Sequence, residues 1–411
     1  MRRIVLMMLL AVSVSTVAQA QPGRARPNQS HVAAAVQSVH RIPFEFYANH
    51  IYVEVRVNGS QSSWFILDSG APDTYITEEQ AKALGLKLGG SLGVTGTGQE
   101  RLKASYVKGA RYSLSGIELS DGQSVAVPRS FFLPLESSFG KSFSGIIGYE
   151  LFDRFVVEVD YAARTINLYE PKNYRYSGSG EIIPLILNGN KPYVNAMLTP
   201  LSGASIASRL HVDLGSSGTL GLNWNFVESN NLVGSAREMI ESFNLGVGGE
   251  TKTLVGRVKS LRLGRLTIES PITSFSLAHG RGVRSDSAGR IGNRILRRFK
   301  VILDYSRKQM ILEQGADSAQ TYEYDMSGMF LLAEGQDFKL FRVHKLVPNS
   351  PAAEAGLRAG DIITNVDNQP AADLTLERVR QIFTQEGQTP LVSIKRGQET
   401  LHLRLRLRRL I

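Results

Sequence analysis

The chain of 411 residues contains no cysteine, which excludes disulfide bonds, a thiol nucleophile, a lipid-modified cysteine and any thiolate metal site. Its seven histidines are scattered, and no His-Glu-x-x-His motif predicts a hydrolytic zinc centre. No basic run with interleaved aromatic residues predicts a nucleic-acid surface. After the first twenty residues, no apolar run is long enough to span a bilayer. We therefore expect no metal, no cofactor, no nucleic-acid partner and no transmembrane segment in the mature chain.

The first segment, residues 1–20, has the pattern of a secretory signal peptide. Arg2 and Arg3 precede a mostly apolar stretch, and Ala18-Gln19-Ala20 is a small-x-small cleavage site. An uncleaved membrane anchor is the alternative, but the apolar stretch is short and is interrupted by serine and threonine. We expect an exported protein, periplasmic or secreted, in which residues 21–39 form a flexible polar lead-in.

Two Asp-x-Gly triplets, each at the end of an apolar strand, are the most informative feature that is present. Asp68-Ser69-Gly70 and Asp213-Leu214-Gly215 are each followed by an apolar segment with glycine and then by a strand ending in Asp-Tyr. From Asp68 to Asp160 there are 92 positions, and from Asp213 to Asp304 there are 91. Nearly equal spacing of matching segments predicts a duplicated lobe, which can bring one carboxylate from each copy together.

The pattern divides the chain into successive parts. Lobe one is predicted at 40–171 and lobe two at 182–313, both rich in strand-forming residues with glycine and serine turns. In lobe one, Thr77 and Gln80 predict the start of a helix, because they form a capping box. A polar linker at 314–326 precedes a small α+β domain at 327–411.

These two lobes resemble the retropepsin-like bacterial aspartic proteases, in a fused two-lobe form similar in organisation to pepsin. The resemblance is carried by Leu67-Asp68-Ser69-Gly70-Ala71, by Gly145-Ile146-Ile147-Gly148, and by their counterparts in lobe two. It implies a mainly β protein, with a β-barrel in each lobe, that hydrolyses peptide bonds in extended or unfolded polypeptides. It also implies a bacterial source.

In this family the two aspartates work as a pair, and we expect Asp68 and Asp213 to be catalytic. Two carboxyl groups in close contact titrate apart, so one is ionised and activates a water while the other is protonated and donates to the scissile carbonyl. Gly70 and Gly215 permit tight turns in which backbone N–H groups reach the carboxylates.

The resemblance also implies that a hydroxyl residue after each aspartate braces the two loops. Ser69 can supply this brace, whereas Leu214 cannot, so the brace is expected to be half present or replaced by Ser216 or Ser217. A second hypothesis follows from Leu214, namely that the protein is a non-catalytic peptide-binding protein on the same fold.

Glycine-rich turns follow both aspartates and are candidate flaps over a substrate. They are represented by Gly96 and Gly98 in lobe one and by Gly248 and Gly249 in lobe two. Ordinary hairpin turns are the alternative. The repeated Asp160 and Asp304 lack a glycine two positions later, and we expect them to open hairpin turns.

The C-terminal domain resembles a bacterial PDZ domain. Ser350-Pro351-Ala352-Ala353-Glu354-Ala355-Gly356-Leu357 and Ala359-Gly360-Asp361-Ile362-Ile363 carry this resemblance. It implies that a loop containing Gly328, Met329 and Phe330 binds the C-terminal carboxylate of a peptide, which adds as a strand. Substrate recruitment, regulation, and docking against the protease lobes are the alternative roles.

A short sequence motif favours one other class of enzyme. Gly215-Ser216-Ser217-Gly218 is similar to the nucleophile loop of trypsin-like serine proteases. That class needs a histidine and an aspartate in the right context, but His40 and His50 lack it. The serine mechanism also leaves the duplication unexplained.

Overall fold

A computed structural model describes residues 39–411 except 97, 99, 121–123, 235–237, 279–285 and 316–319. The predicted signal peptide and nearly all of the flexible lead-in lie outside the described residues. Within the described part of the chain, no helix is long and apolar enough to cross a membrane.

Lobe one is built almost entirely of short strands. Its strands are β1 (Val39–Pro43), β2 (Glu45–Tyr47), β3 (His50–Val57), β4 (Ser63–Leu67), β5 (Thr74–Thr77), β6 (Lys87–Val94), β7 (Leu102–Lys108), β8 (Tyr112–Leu114), β9 (Ile117–Leu119), β10 (Ser124–Val127), β11 (Gly145–Ile147), β12 (Val156–Asp160) and β13 (Thr165–Tyr169). Its helices are α1 (Glu78–Ala83), α2 (Leu133–Phe139) and α3 (Tyr149–Arg154), with a 3-10 turn at Arg129–Phe131. The Thr77 side chain accepts from the Gln80 N–H and caps α1, as the sequence predicts.

Lobe two has the same character. Its strands are β14 (Glu181–Asn188), β15 (Lys191–Thr199), β16 (Ile206–Val212), β17 (Leu220–Leu222), β18 (Ile240–Gly246), β19 (Gly249–Arg257), β20 (Ser260–Leu263), β21 (Leu266–Glu269), β22 (Ile272–Ser276), β23 (Gly289–Ile291), β24 (Phe299–Asp304) and β25 (Gln309–Gln314). Its helices are α4 (Trp224–Ser229) and α5 (Asn293–Leu296).

The strand register repeats around the two aspartates. Strand β4 ends at Leu67 and lies parallel to β11, whereas β16 ends at Val212 and lies parallel to β23. Each parallel partner also pairs antiparallel with the strand that follows the aspartate loop, β5 in lobe one and β17 in lobe two. The duplication predicted from residue spacing is therefore present as a duplicated register.

A central antiparallel sheet contains strands from both lobes. Its order is β1-β13-β12-β24-β25-β14, and β12 pairs with β24 across the boundary, with Val157 opposite Leu303. Asp160 and Asp304 end these two strands and accept hydrogen bonds from the N–H groups of Ala163 and Arg307, respectively, so both open hairpin turns. A hydrophobic cluster continues through both lobes and includes Leu67 and Val212, the residues that directly precede the two aspartates.

The C-terminal domain has its own sheet and its own hydrophobic cluster. Its strands are β26 (Met329–Glu334), β27 (Leu340–Leu346), β28 (Ile362–Val366), β29 (Gln369–Pro370), β30 (Leu391–Arg396) and β31 (Glu399–Arg404). Its helices are α6 (Pro351–Glu354) and α7 (Leu376–Ile382), with a 3-10 turn at Ala371–Asp373. The molecule is mainly β, with two similar lobes followed by a small α+β domain.

Candidate active site

The two aspartates are held in the same way at the ends of their strands. The Asp68 N–H donates to the Ile147 carbonyl at 3.0 Å, and the Asp213 N–H donates to the Ile291 carbonyl at 3.0 Å. Each aspartate is therefore fixed by the parallel strand of its own lobe, at the loop where that lobe faces the other.

Tight turns at the glycines bring the two carboxyl groups together. The Gly70 N–H donates to Oδ1 of Asp68 at 2.6 Å, and the Gly215 N–H donates to Oδ1 of Asp213 at 3.1 Å. A Cβ placed on Gly70 would lie 3.0 Å from Oδ1 of both aspartates, and one on Gly215 would collide with the Asp68 carboxyl group. Glycine is required at both positions because each loop backbone approaches the carboxylates so closely.

The surroundings of the Asp68 carboxyl group favour its protonated form. Burial, and then the neighbouring charge of Asp213, raises the pKa of Asp68 to about 7. The Gly70 N–H and the charge of Lys191 act in the opposite direction and lower this pKa. Asp68 therefore keeps its proton at pH values where an ordinary aspartate is fully ionised.

The hydroxyl brace across the lobes is present on one side. The Ser69 hydroxyl donates to the Val212 carbonyl at 2.7 Å and accepts from the Leu214 N–H at 3.0 Å, and Ser69 is fully buried. Leu214 is also fully buried and contributes no side-chain bond. Ser216 supports its loop through its backbone, because its N–H donates to the Asp213 carbonyl and its own carbonyl accepts from the Asn293 N–H.

Two histidines lie near the pair, His50 buried and His211 partly buried, and sequence reasoning assigned neither of them to this site. Nδ1 of His211 lies 3.9 Å from Oδ2 of Asp213, and burial lowers the pKa of both His50 and His211 to about 4. Both therefore remain neutral at neutral pH. His211 could have been found, because it precedes Asp213 by two positions and thus shares its face of strand β16.

The same histidine bears on the serine alternative. Nε2 of His211 is buried and has no hydrogen-bond partner among the described residues, and both ring nitrogens of His50 are in the same state. A serine nucleophile requires its hydroxyl to bond a histidine nitrogen. Among the described residues, no hydrogen bond joins Ser216 or Ser217 to a histidine; the Ser393 hydroxyl lies 2.8 Å from Nδ1 of His402, but this pair belongs to the β30–β31 hairpin of the C-terminal domain and not to the loop that resembles a serine protease.

The two glycine-rich hairpin tips meet each other. The Gly98 N–H donates to the Val247 carbonyl at 2.9 Å, and the Glu100 N–H donates to the Gly248 carbonyl at 3.0 Å. A Cβ on Gly96 or Gly98 would collide with the opposite tip, and Gly248 and Gly249 have φ values of +89° and +98°. The tip of β6–β7 is therefore joined to the tip of β18–β19, so that each lobe contributes one hairpin.

In the C-terminal domain, the loop predicted to bind a carboxylate already contains one. Oδ1 of Asp325 accepts from the N–H groups of Ser327 and Gly328, at 2.9 and 2.8 Å, and from the Ser327 hydroxyl. The Ser327 hydroxyl in turn accepts from the Met329 N–H at 3.1 Å. The Phe330 side chain packs on Phe243 of lobe two, with ring centroids 4.9 Å apart.

Helix α2 of lobe one lies against the open edge of strand β26. The Ser137 hydroxyl donates to the Ala333 carbonyl at 2.7 Å. Arg380, on helix α7, donates to the Leu331 carbonyl at 2.9 Å and to the Ser138 carbonyl at 2.8 Å. Alternate carbonyls of β26, the groups that an added peptide strand would use, therefore have partners within the chain.

The hairpin of lobe two also contacts this domain. Glu250, next to the hairpin tip, lies 2.6 Å from Nε2 of His344 and forms an ion pair with Lys345. Nζ of Lys345 lies 4.2 Å from the centre of the Phe243 ring. One end of this hairpin therefore touches lobe one while its strands rest on the C-terminal domain.

Fold and site together define a two-lobe arrangement of the aspartic protease type, followed by a PDZ-like domain. Comparison with known families agrees: residues 53–151 match the aspartyl protease family and residues 342–396 match the PDZ domain. The chain therefore combines an aspartyl protease domain with a PDZ domain.

The described residues contain no cluster of three or more histidine, cysteine or acidic side chains that could hold a metal ion.

Two individual proteins are similar to parts of this chain. The periplasmic serine endoprotease DegP of Salmonella typhimurium is 27% identical over 133 residues, which are 32% of this chain and 27% of that protein. The chain thus spans about a quarter of the length of this relative. The crystal structure of the aspartic proteinase from Irpex lacteus aligns at 13% identity with a TM-score of 0.43, covering 69% of this chain and 99% of that one.

Proposed function

We propose that the protein is an exported aspartic endopeptidase that cuts extended or unfolded polypeptides. The observation that carries this proposal is the meeting of Asp68 and Asp213, one from each duplicated strand end, with the pKa of Asp68 raised to about 7. Export is supported by the signal-like residues 1–20 and by a similar protein whose name places it in the periplasm.

In this mechanism the two carboxyl groups share one proton. The ionised group removes a proton from a water molecule whose oxygen bonds to the scissile carbonyl carbon, while the protonated group donates to the carbonyl oxygen. The C–N bond of the resulting tetrahedral intermediate then breaks as a carboxyl group passes a proton to the leaving nitrogen. Burial and the neighbouring carboxyl group raise the pKa of Asp68 to about 7, so that a proton remains on the pair at pH values where an ordinary aspartate has lost it. Gly70 and Gly215 hold the carboxylates with N–H bonds and need no reorganisation during the reaction.

The hairpin tips are proposed to be flaps over an extended substrate. Gly96 and Gly98 belong to one flap and Gly248 and Gly249 to the other, and hydrogen bonds between the tips support a common closed position. Substrate entry then requires these tip-to-tip bonds to open.

Asparagine substitution of each aspartate tests the mechanism directly. We expect Asp68→Asn and Asp213→Asn each to abolish cleavage of casein, measured from about pH 4 to about pH 8. Asp160→Asn is the matched control, since Asp160 also repeats between the lobes but lies in a hairpin turn. If only Asp68→Asn loses cleavage activity, Asp213 is not a catalytic residue. Equal cleavage by every variant would refute the aspartic mechanism.

For the PDZ domain we propose regulation through the lobes rather than substrate recruitment. The support is that Asp325 occupies the Gly328–Met329 loop and that Ser137 and Arg380 occupy the edge carbonyls of β26. A peptide must displace helix α2 before it can add to this strand. The Glu250 contacts link the same domain to a proposed flap.

Comparison of long and short substrates distinguishes the two PDZ roles. Arg380→Ala removes the bonds to Leu331 and Ser138, so under regulation we expect it to change the cleavage rate of casein and of a short peptide alike. If the domain recruits substrates, the same variant should lower KM for casein only. Arg378→Ala is the control, because Arg378 is on the same helix α7 and is more exposed.

A further inference from the structure

We propose that Asn293 is a positioning residue that ties the Asp213 loop to lobe one and takes over the cross-lobe role of the hydroxyl that Leu214 lacks. This inference rests on the proposed aspartic mechanism. Asn293 is the residue after Gly292, at the start of helix α5, and it is fully buried.

Its side chain uses every hydrogen-bonding group that it has. Nδ2 donates to the Leu214 carbonyl at 2.6 Å and to the Asn49 carbonyl at 2.9 Å. Oδ1 accepts from the Tyr161 hydroxyl at 2.7 Å. Leu214 belongs to the aspartate loop of lobe two, whereas Asn49 and Tyr161 belong to lobe one, so this one amide bridges the lobes at the dyad.

The duplicated register shows that this arrangement is specific to lobe two. The Tyr149 N–H donates to the Ala71 carbonyl, just as the Asn293 N–H donates to the Ser216 carbonyl, so the two residues occupy equivalent backbone positions. The Tyr149 hydroxyl donates to Asp153 within its own helix, however, and does not cross to the other lobe.

The two ties act on the Leu214 peptide from opposite sides. Ser69 accepts from the Leu214 N–H, and Asn293 donates to the Leu214 carbonyl. Since Leu214 is the residue after Asp213, its backbone fixes the direction in which the Asp213 carboxyl group points. A loop held on both sides keeps the carboxyl groups in the contact that splits their titration, and small displacements of a reacting group cost about 100-fold in rate.

A rescue experiment tests this role. We expect Asn293→Ala to lower kcat for casein cleavage about 10- to 100-fold with little change in KM. In the double variant Asn293→Ala/Leu214→Thr, the new hydroxyl can form the mirror image of the Ser69 bonds, to the Leu67 carbonyl and the Ser69 N–H, and should recover most of the loss. Tyr149→Phe is the matched control from lobe one and should keep wild-type activity. A double variant as impaired as the single one would overturn the proposal.

The pH profile of cleavage, measured in two variants, separates a positioning role of Asn293 from general destabilisation of the protein. The pH above which casein cleavage declines should be lower in Asn293→Ala than in wild type, because a displaced Asp213 no longer raises the pKa of Asp68. Tyr161→Phe, which removes one bond only, should give a smaller shift in the same direction and serves if Asn293→Ala does not fold. An unchanged profile in both variants would refute positioning.

Hydrogen exchange distinguishes failure of this inference from failure of the proposed function. Exchange at the Leu214 and Gly215 amides should be faster in Asn293→Ala than in Tyr149→Phe, whether or not the protein cuts casein. If wild type cuts and Asn293→Ala cuts equally with unchanged exchange, Asn293 has no positioning role. If wild type does not cut but exchange responds, the tie exists and the aspartic mechanism is the part that fails.

Discussion

Removal of the Ser69 hydroxyl should both destabilise the protein and loosen one lobe from the other. In Ser69→Ala, the Val212 carbonyl and the Leu214 N–H lose partners at 2.7 and 3.0 Å in a fully buried site. A buried polar group left without a partner costs about 1–3 kcal/mol, so the two together should lower the free energy of unfolding by about 2–6 kcal/mol. That is a large part of the about 5–15 kcal/mol typical of a folded protein.

Urea unfolding followed by tryptophan fluorescence is the suitable assay, because the chain has two tryptophans, one in each lobe. Trp64 lies on β4 and Trp224 begins α4, so Trp→Phe substitution at either position isolates the signal of the other lobe. We expect coincident transitions for the two lobes in wild type and separated ones in Ser69→Ala.

Ser216→Ala is the matched control for this measurement. The Ser216 side chain is at the equivalent turn of lobe two, and its described hydrogen bonds are made by its backbone. Loss of the Ser216 hydroxyl should therefore change the free energy of unfolding by less than about 0.5 kcal/mol. Equal midpoints for Ser69→Ala and Ser216→Ala would refute the reasoning that the hydroxyl brace stabilises the contact between lobes.

Three further outcomes follow from the same residues. Because the pKa of Asp68 is raised to about 7, kcat/KM for cleavage should fall as the pH rises through about 7, and a rate that still increases at about pH 9 would contradict the shared proton. Burial lowers the pKa of His50 to about 4 from its ordinary 6.5, so the unfolded state binds a proton first on acidification. As the pH falls from about 6.5 to about 4, His50 should therefore lower the free energy of unfolding by about 3 kcal/mol, and the decrease should be smaller in His50→Leu. If chemical denaturation gives the same dependence of the free energy of unfolding on pH for wild type and His50→Leu, this contribution is excluded. Arg129→Ala removes the two bonds of 2.8 and 2.7 Å that Arg129 donates to the fully buried Glu136, which keeps its bond from the Phe143 N–H. The free energy of unfolding should fall by about 3 kcal/mol, whereas an unchanged urea midpoint would show that the Phe143 N–H alone satisfies Glu136.

Local signals in the sequence predicted the parts of the structure that depend on local chemistry. Thr77 caps α1 through its side chain, as the capping box formed with Gln80 predicts. The meeting of Asp68 with Asp213 could be predicted too, since a duplication at constant spacing implies a pseudo-twofold arrangement without any knowledge of distant contacts.

Contacts between distant segments could not be predicted in this way. Asn293 follows a glycine at an ordinary helix start, and its partners lie 79, 132 and 244 positions away in the chain. The same holds for Ser137 and Ala333, which are 196 positions apart. Nothing in the pattern around such residues indicates which distant backbone group they reach, because hydrogen bonds of this kind are fixed by the packing of whole elements.

Because β12 pairs with β24, the covalent connection between the lobes is not the only link that holds them together. Residues 170–180 join them covalently, but the lobes are also held together by the backbone ladder from Val157 to Val159 opposite 301–303, by the hydrophobic cluster that they share, and by the brace at the dyad. A chain nicked between 170 and 180 would thus keep its halves together. The two halves are arranged like the subunits of a symmetric dimer, but within a single chain they can differ: Leu214 and Asn293 are found in lobe two where lobe one has Ser69 and Tyr149.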